Sequence, residues 1–184
     1  MIMGILDEGN FTVKQTVFDK DKIRKRVEEL GRQITEDYKG KELAMIGVIN
    51  GALYFFADIT REIDMPVLID TIGFANIPDT TSKTGRVKIS KNVDIDIEGK
   101  DVLIVEDVIR TGLTTAYLIS NLELQNPKSI GICTMLLNPD RLLLNLPVKY
   151  TGFEINDSWL LGYGLDRKGI GRNLPDIVSI EHQS

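Results

Sequence analysis

Several chemistries are excluded by what this chain of 184 residues does not contain. Cys133 is its one cysteine, so no intrachain disulfide can form, and His182 is its one histidine. A cysteine–histidine zinc cluster and Ser–His or Cys–His nucleophilic catalysis are therefore not expected. No apolar run reaches membrane-spanning length and no signal-peptide pattern opens the chain, so a cytoplasmic protein without a membrane partner is expected. No Walker-type Gly-Lys-Thr loop is present. Gly162-Tyr163-Gly164 and Gly169-Ile170-Gly171 both lack the third glycine and the strand-to-helix setting of a dinucleotide fingerprint. Positive charge is in deficit, with 22 Lys and Arg against 27 Asp and Glu and a net charge of −5. That balance, with a pI near 5.0, argues against nucleic acid as a partner. The basic residues that recur from Lys20 to Arg32 read as the wet face of a helix.

What remains is the composition of an ordinary folded domain, 42% hydrophobic and 27% charged, long enough to bury a proper core. Residues Met1 to Thr16 read as an extended lead-in. Asp19 can cap a helix carrying Ile23, Val27, Leu30 and Ile34 at helical spacing, ended by Gly40. Leu43 to Ile49 reads as a buried strand, Asn50-Gly51 as a tight turn, and Ala52 to Ile63 as a helix apolar almost all round. Val67 to Phe74 and Arg86 to Val93 read as strands flanking Asn76 to Thr84, a polar, breaker-rich segment expected to be a mobile loop. Ser129 to Leu137, holding a buried Cys133, and Val148 to Ile155 add strands, with an irregular arm from Pro139 to Pro147. Strands alternating with helices indicate an α/β fold with a mainly parallel sheet. No repeat, low-complexity tract or linker divides the chain, so residues 1–184 are expected to form a single domain.

One stretch organises the rest. Val102 to Val105 is the apolar, mostly β-branched run of a strand buried on both faces. Glu106 and Asp107 follow, at the sheet edge where open α/β folds bind ligands. Arg110-Thr111-Gly112-Leu113-Thr114 then leads into a helix whose apolar face is read as Leu113, Ala116, Tyr117 and Leu124. Two readings stand on physics alone. The corner is either an ordinary strand-to-helix turn with solvated acids and threonine caps, or a cradle for a phosphorylated sugar. In the cradle, the helix N-terminus takes the phosphate and the carboxylates grip sugar hydroxyls or a divalent cation.

The stretch resembles the type I phosphoribosyltransferase fingerprint of four hydrophobics, two acids, two hydrophobics and a Thr-Gly-x-Thr loop. Gly47-Val48-Ile49-Asn50-Gly51-Ala52-Leu53-Tyr54-Phe55, Gly85-Arg86-Val87-Lys88-Ile89 and Trp159-Leu160-Leu161-Gly162-Tyr163-Gly164-Leu165-Asp166 narrow the likeness to hypoxanthine-guanine phosphoribosyltransferases over nearly the whole chain. The resemblance implies the type I phosphoribosyltransferase fold: a core of residues 17–135 with a small hood from the N-terminal lead-in and residues 139–184. It also implies a homodimer or homotetramer, Mg2+ as cofactor, and phosphoribosyl pyrophosphate with a purine base or nucleotide as partners. The implied reaction is Mg2+-dependent transfer of ribose 5-phosphate to a 6-oxopurine in purine salvage, giving IMP or GMP and pyrophosphate.

Residue by residue, Glu106 and Asp107 match the pair that holds the ribose hydroxyls, directly or through metal. Thr111, Gly112, Leu113 and Thr114 match the phosphate loop, and Asn50-Gly51 the pyrophosphate loop. Asp166 matches a carboxylate that ligates magnesium or contacts the purine; its bland reading is a turn residue. Trp159, with Leu160 beside it, matches the aromatic that stacks on the base. Arg172 matches a pyrophosphate contact, in a segment that Gly169 and Gly171 leave free to move.

The departures from the family pattern cluster. Arg110 stands where the family places a catalytic aspartate, Asn138 replaces a lysine that recognises the purine 6-oxo group, and Asn50 replaces a residue that is often lysine. Ala75-Asn76-Ile77-Pro78 stands in place of Ser-Ser-Tyr-Gly in the closing loop. Sugar-phosphate elements persist while base recognition and proton handling change. Three activities are therefore carried forward: a 6-oxopurine transferase weakened at its base position, a paralogue that binds phosphoribosyl pyrophosphate or nucleotide as a sensor, and a transferase for another nucleobase.

Overall fold

The computed structural model describes residues 11–77, 86–156 and 159–182. Its centre is a six-stranded sheet in the order β4-β3-β2-β5-β6-β7. The strands are β2 (Leu43–Ile49), β3 (Leu68–Ile77), β4 (Arg86–Lys91), β5 (Asp101–Ile109), β6 (Ser129–Leu137) and β7 (Val148–Glu154). All pairings are parallel except β3 with β4. Ala44, Met45, Ile46 and Val102 to Val105 are wholly buried, as strands covered on both faces must be.

Helix α1 (Lys20–Asp37) and helix α2 (Leu53–Arg61) cover one face, and helix α3 (Leu113–Glu123) covers the other. Asp19 caps α1 as expected, its carboxylate accepting from Asp21 and Lys22 N–H at 3.0 and 2.9 Å. The stripe Ile23, Val27, Leu30 and Ile34 is buried against Met45, Leu103 and Met135. A second sheet, β1-β9-β8, is antiparallel and is built from Phe11–Phe18, Ile177–His182 and Leu160–Leu161.

Four expectations need correcting. The part of the lead-in that lies within the described residues, from Phe11 on, is strand β1 paired with β9 along its length; no local pattern could announce a partner more than 150 residues away. Helix α2, though apolar almost all round, is not buried all round: Leu53 and Tyr54 are exposed while Phe55, Phe56 and Ile59 are buried. Helix α3 buries Thr115, Leu118 and Leu122 rather than the expected face, for Leu113, Tyr117 and Leu124 are exposed. The helix carries two apolar stripes, and its seating on the sheet chooses between them. Lastly, β5 runs on through Glu106 and Asp107 to Ile109 instead of ending before the acids. Of the expected mobile loop, Asn76 and Ile77 continue β3, and its remainder lies outside the described residues.

Candidate functional site

The site begins where the sheet splits. β2 stays paired with β5 only as far as Gly47 opposite Val105. Beyond that point β2 continues along β3 to Ile49 opposite Gly73, while β5 continues along β6 to Ile109 opposite Leu137. A crevice opens between two parallel strands whose following helices, α2 and α3, lie on opposite faces of the sheet, the place where α/β sheets bind ligands. Glu106 and Asp107 are the first residues of β5 to enter it.

Glu106 is buried, and its Oε1 has no hydrogen-bond partner among the described residues. Burial pushes its carboxyl up to about 8, helped by the neighbouring Asp107 charge and opposed by a hydrogen bond with Thr115. Asp107 is raised to about 6, again chiefly by burial. Its own and the Val108 backbone N–H groups and the Arg172 charge oppose the rise, and Asp166 adds to it. Two carboxyls held above their ordinary range in a crevice mark a site whose missing counter-charge comes from a ligand.

The facing wall consists of two backbones. A Cβ on Gly51 would overlap the Asp107 carboxylate, and a Cβ on Gly164 would overlap the Gly51 carbonyl. Gly164 also has φ +96°, a conformation open to glycine. The Asn50-Gly51 turn, the acidic end of β5 and the hood segment after β8 therefore meet with no side chain between them. The Ile49–Asn50 peptide is cis.

From the hood, Arg172 pairs with Asp166 at 2.7 Å and donates to the Gly164 carbonyl at 2.7 Å. The Asp166 carboxylate also accepts from Gly169 N–H at 2.6 Å. Asp166 is thus both the turn residue of the bland reading and a charge facing Asp107. The Arg172 guanidinium is held at both ends, by Asp166 and by the Gly164 carbonyl.

The phosphate-loop candidates Thr111 to Thr114 form the N-terminus of α3. Gly112 is its N-cap, with φ +79° and no capping side chain, so the expected threonine cap is not made. The first helical bond is Ala116 N–H to the Gly112 carbonyl at 2.9 Å, and Leu143 N–H donates to Thr111 at 3.1 Å. An uncapped first turn near the buried Glu106 and half-buried Asp107 carboxyls suits an anion attached to a hydroxyl-bearing group.

Arg110 is half-buried at the end of β5. Asn138 is buried beside it, its N–H donating to the Ile109 carbonyl at 2.9 Å. Leu160 belongs to the main core. Trp159 is 61% exposed, with the Arg167 guanidinium 4.2 Å from its ring centroid. Three contributors were not singled out from sequence: Thr115, Gly164 and Arg167. The repeated glycines at 162 and 164 were the available sign for the second.

A divalent cation fits this donor set in a particular way. Among the described residues no three acidic, histidine or cysteine side chains gather into a cage. Asp107 and Asp166 still feel each other's charge, and Glu106 holds an unpartnered oxygen. A hard cation that keeps waters and takes phosphate oxygens from a substrate needs no more than one or two carboxylates.

Comparison with known proteins agrees with this architecture. Residues 15–168 match the phosphoribosyl transferase domain family. The hypoxanthine phosphoribosyltransferase of Salmonella typhimurium is 42% identical over 168 residues, covering 90% of this chain and 94% of that protein. The hypoxanthine-guanine phosphoribosyltransferase of Mycobacterium tuberculosis is 38% identical over 175 residues, covering 92% and 87%. A crystal structure of a hypoxanthine-guanine phosphoribosyltransferase from Bacillus anthracis, with HEPES in its active site, superposes with a TM-score of 0.86 at 38% identity, covering 94% of this chain and 99% of that one.

Proposed function

Since the chain belongs to the hypoxanthine-guanine phosphoribosyltransferases, enzymes of purine salvage and of the pentosyltransferase class, we propose that it joins a 6-oxopurine to the ribose 5-phosphate of phosphoribosyl pyrophosphate. The observation that carries this reading is the Glu106–Asp107 pair, raised by burial, in the crevice between β2 and β5 and next to the uncapped N-terminus of α3.

In this reading the 5-phosphate lies on Thr111, Gly112, Leu113 and Thr114, taking backbone N–H groups and the helix dipole. Glu106 and Asp107 hold the ribose hydroxyls. The pyrophosphate lies against the Asn50-Gly51 turn, where Arg172 offers a guanidinium suited to its oxygens. Trp159 stacks on the base, with Leu160 behind it and Asn138 at its polar edge. Asp107, Asp166 and Glu106 would hold magnesium, which when bound would supply charge neutralisation for the pyrophosphate. The ribose carbon gains positive charge as the bond to pyrophosphate breaks, and the Asp107 carboxylate, ionised above about pH 6, stabilises that charge from a site of low dielectric.

The unit that does this is one domain; contrary to the expected boundary at residue 139, its core sheet extends through β7, and the hood is built on β1, β8 and β9. It acts in the cytoplasm as a homodimer or homotetramer; exposed Leu53 and Tyr54 on α2 support such an interface. No helix among the described residues is long and apolar enough to cross a membrane.

Arg110 favours a second reading. A guanidinium cannot accept a proton at neutral pH, and loss of a positioned base typically costs about 10²–10⁴-fold in rate. A chain that keeps its sugar-phosphate cradle but not its base suits a sensor of phosphoribosyl pyrophosphate. One experiment separates the two: purified protein with magnesium, phosphoribosyl pyrophosphate and a panel of nucleobases, followed by nucleotide and pyrophosphate release. Release with hypoxanthine or guanine is the expected result. Calorimetric binding of the sugar pyrophosphate with no product from any base establishes the sensor instead.

A further inference from the structure

The hood carries a side chain that none of these roles uses. Arg167 follows Asp166 directly, yet it turns away from the ion pair with Arg172 and lays its guanidinium on the indole of Trp159, 4.2 Å from the ring centroid. A tight hairpin fixes that placement. Arg167 and Ile170 exchange both backbone hydrogen bonds at 3.0 Å, and Lys168 and Gly169 between them have φ +53° and +84°. Asp166 closes the turn by accepting from Gly169 N–H at 2.6 Å. On the other side, the Trp159 carbonyl accepts from Ile180 N–H at 2.9 Å, and a small cleft lined by Phe11, Ile180 and Arg167 borders the indole.

The ring is thus gripped from the hood while 61% of the residue stays exposed. An exposed tryptophan on a strand end has several rotamers, and fixing one of them costs side-chain entropy. A planar cation stacked on one face removes that freedom in advance.

We propose that Arg167 is a positioning residue for base binding: it holds the Trp159 indole in the orientation in which the uncovered part of the ring receives the purine. This rests on the functional reading above, in which Trp159 stacks on the base. Arg167 and Asp166 are consecutive, so one hairpin sets both the aromatic platform and the carboxylate that faces Asp107.

Trp159 is the one tryptophan of the chain, so tryptophan fluorescence reports on the surroundings of this ring alone. The test titrates the full-length protein with IMP and with GMP, reading tryptophan quenching, for wild type, R167A and R167K. Steady-state KM for hypoxanthine and for phosphoribosyl pyrophosphate is measured in parallel. The expected result for R167A is a rise of about two- to fivefold in nucleotide Kd and in base KM, the range a cation–π contact at an exposed site supplies. The KM for phosphoribosyl pyrophosphate stays within about twofold. R167K, which keeps the charge without the plane, falls between the two proteins. A lowered thermal midpoint with nucleotide Kd unchanged overturns the inference, because Arg167 then only covers apolar surface. Wild-type protein in which neither nucleotide quenches Trp159 overturns the functional reading itself.

Discussion

Asp107, within β5, and Arg110, just past its end, stand three positions apart and pose opposite electrostatic questions. Asp107 lacks a full complement of positive charge, whereas Arg110 brings one to the neighbourhood in which a ribosyl cation forms. On the catalytic reading, the guanidinium neither accepts the purine proton nor favours the developing charge. Replacing Arg110 by aspartate is expected to raise transferase turnover toward the roughly 10²–10⁴-fold that a positioned base contributes. The check is the rate of IMP formation at saturating substrates; an unchanged or lower rate means that Arg110 has a task of its own in the site. The residues themselves were plain in the sequence. Their separation was not: only in three dimensions does Gly51 abut Asp107 and Arg172 reach Asp166.

At the scale of elements, strands were legible and faces were less so. β2 and β6 coincide with the apolar runs read from sequence, because a strand buried on both sides needs no phase to be recognised. Helix α3 shows the opposite case. Its two stripes, Leu113-Ala116-Tyr117-Leu124 and Thr115-Leu118-Leu122, are both apolar enough to be read as buried. The structure buries the second, which brings the Thr115 hydroxyl to Glu106. That contact was invisible without the correct phase. Truncating Leu118 to alanine is expected to cost about 2–5 kcal/mol, and truncating Leu124, 79% exposed, less than about 0.5 kcal/mol. Urea unfolding of the two variants decides, and equal losses would contradict the phase described here. The hood was expected only through the family resemblance, because its strand pairing joins the two ends of the chain and carries no local turn signal.

For the whole molecule, the buried carboxyls tie stability to pH. Glu106 titrates near 4.5 when the chain is unfolded and at about 8 in the fold. Between those values the folded chain keeps a proton that the unfolded chain has released, so stability falls as pH rises through that window. Asp107, shifted from 3.8 to about 6, has the same sign over a lower range. E106Q removes the larger contribution. Its unfolding midpoint is therefore expected to gain on that of the wild type steadily from pH 5 to pH 8, in ligand-free buffer. Parallel midpoints across that range would show that Glu106 is charged throughout.

The bare contact of Gly164 with the Gly51 carbonyl has a mechanical consequence. With no room for even a methyl group between them, the hood cannot slide over the core at this point without dragging the Asn50-Gly51 turn along. On the proposed reading, the turn that takes the leaving group and the hood segment beside the base therefore meet at one contact.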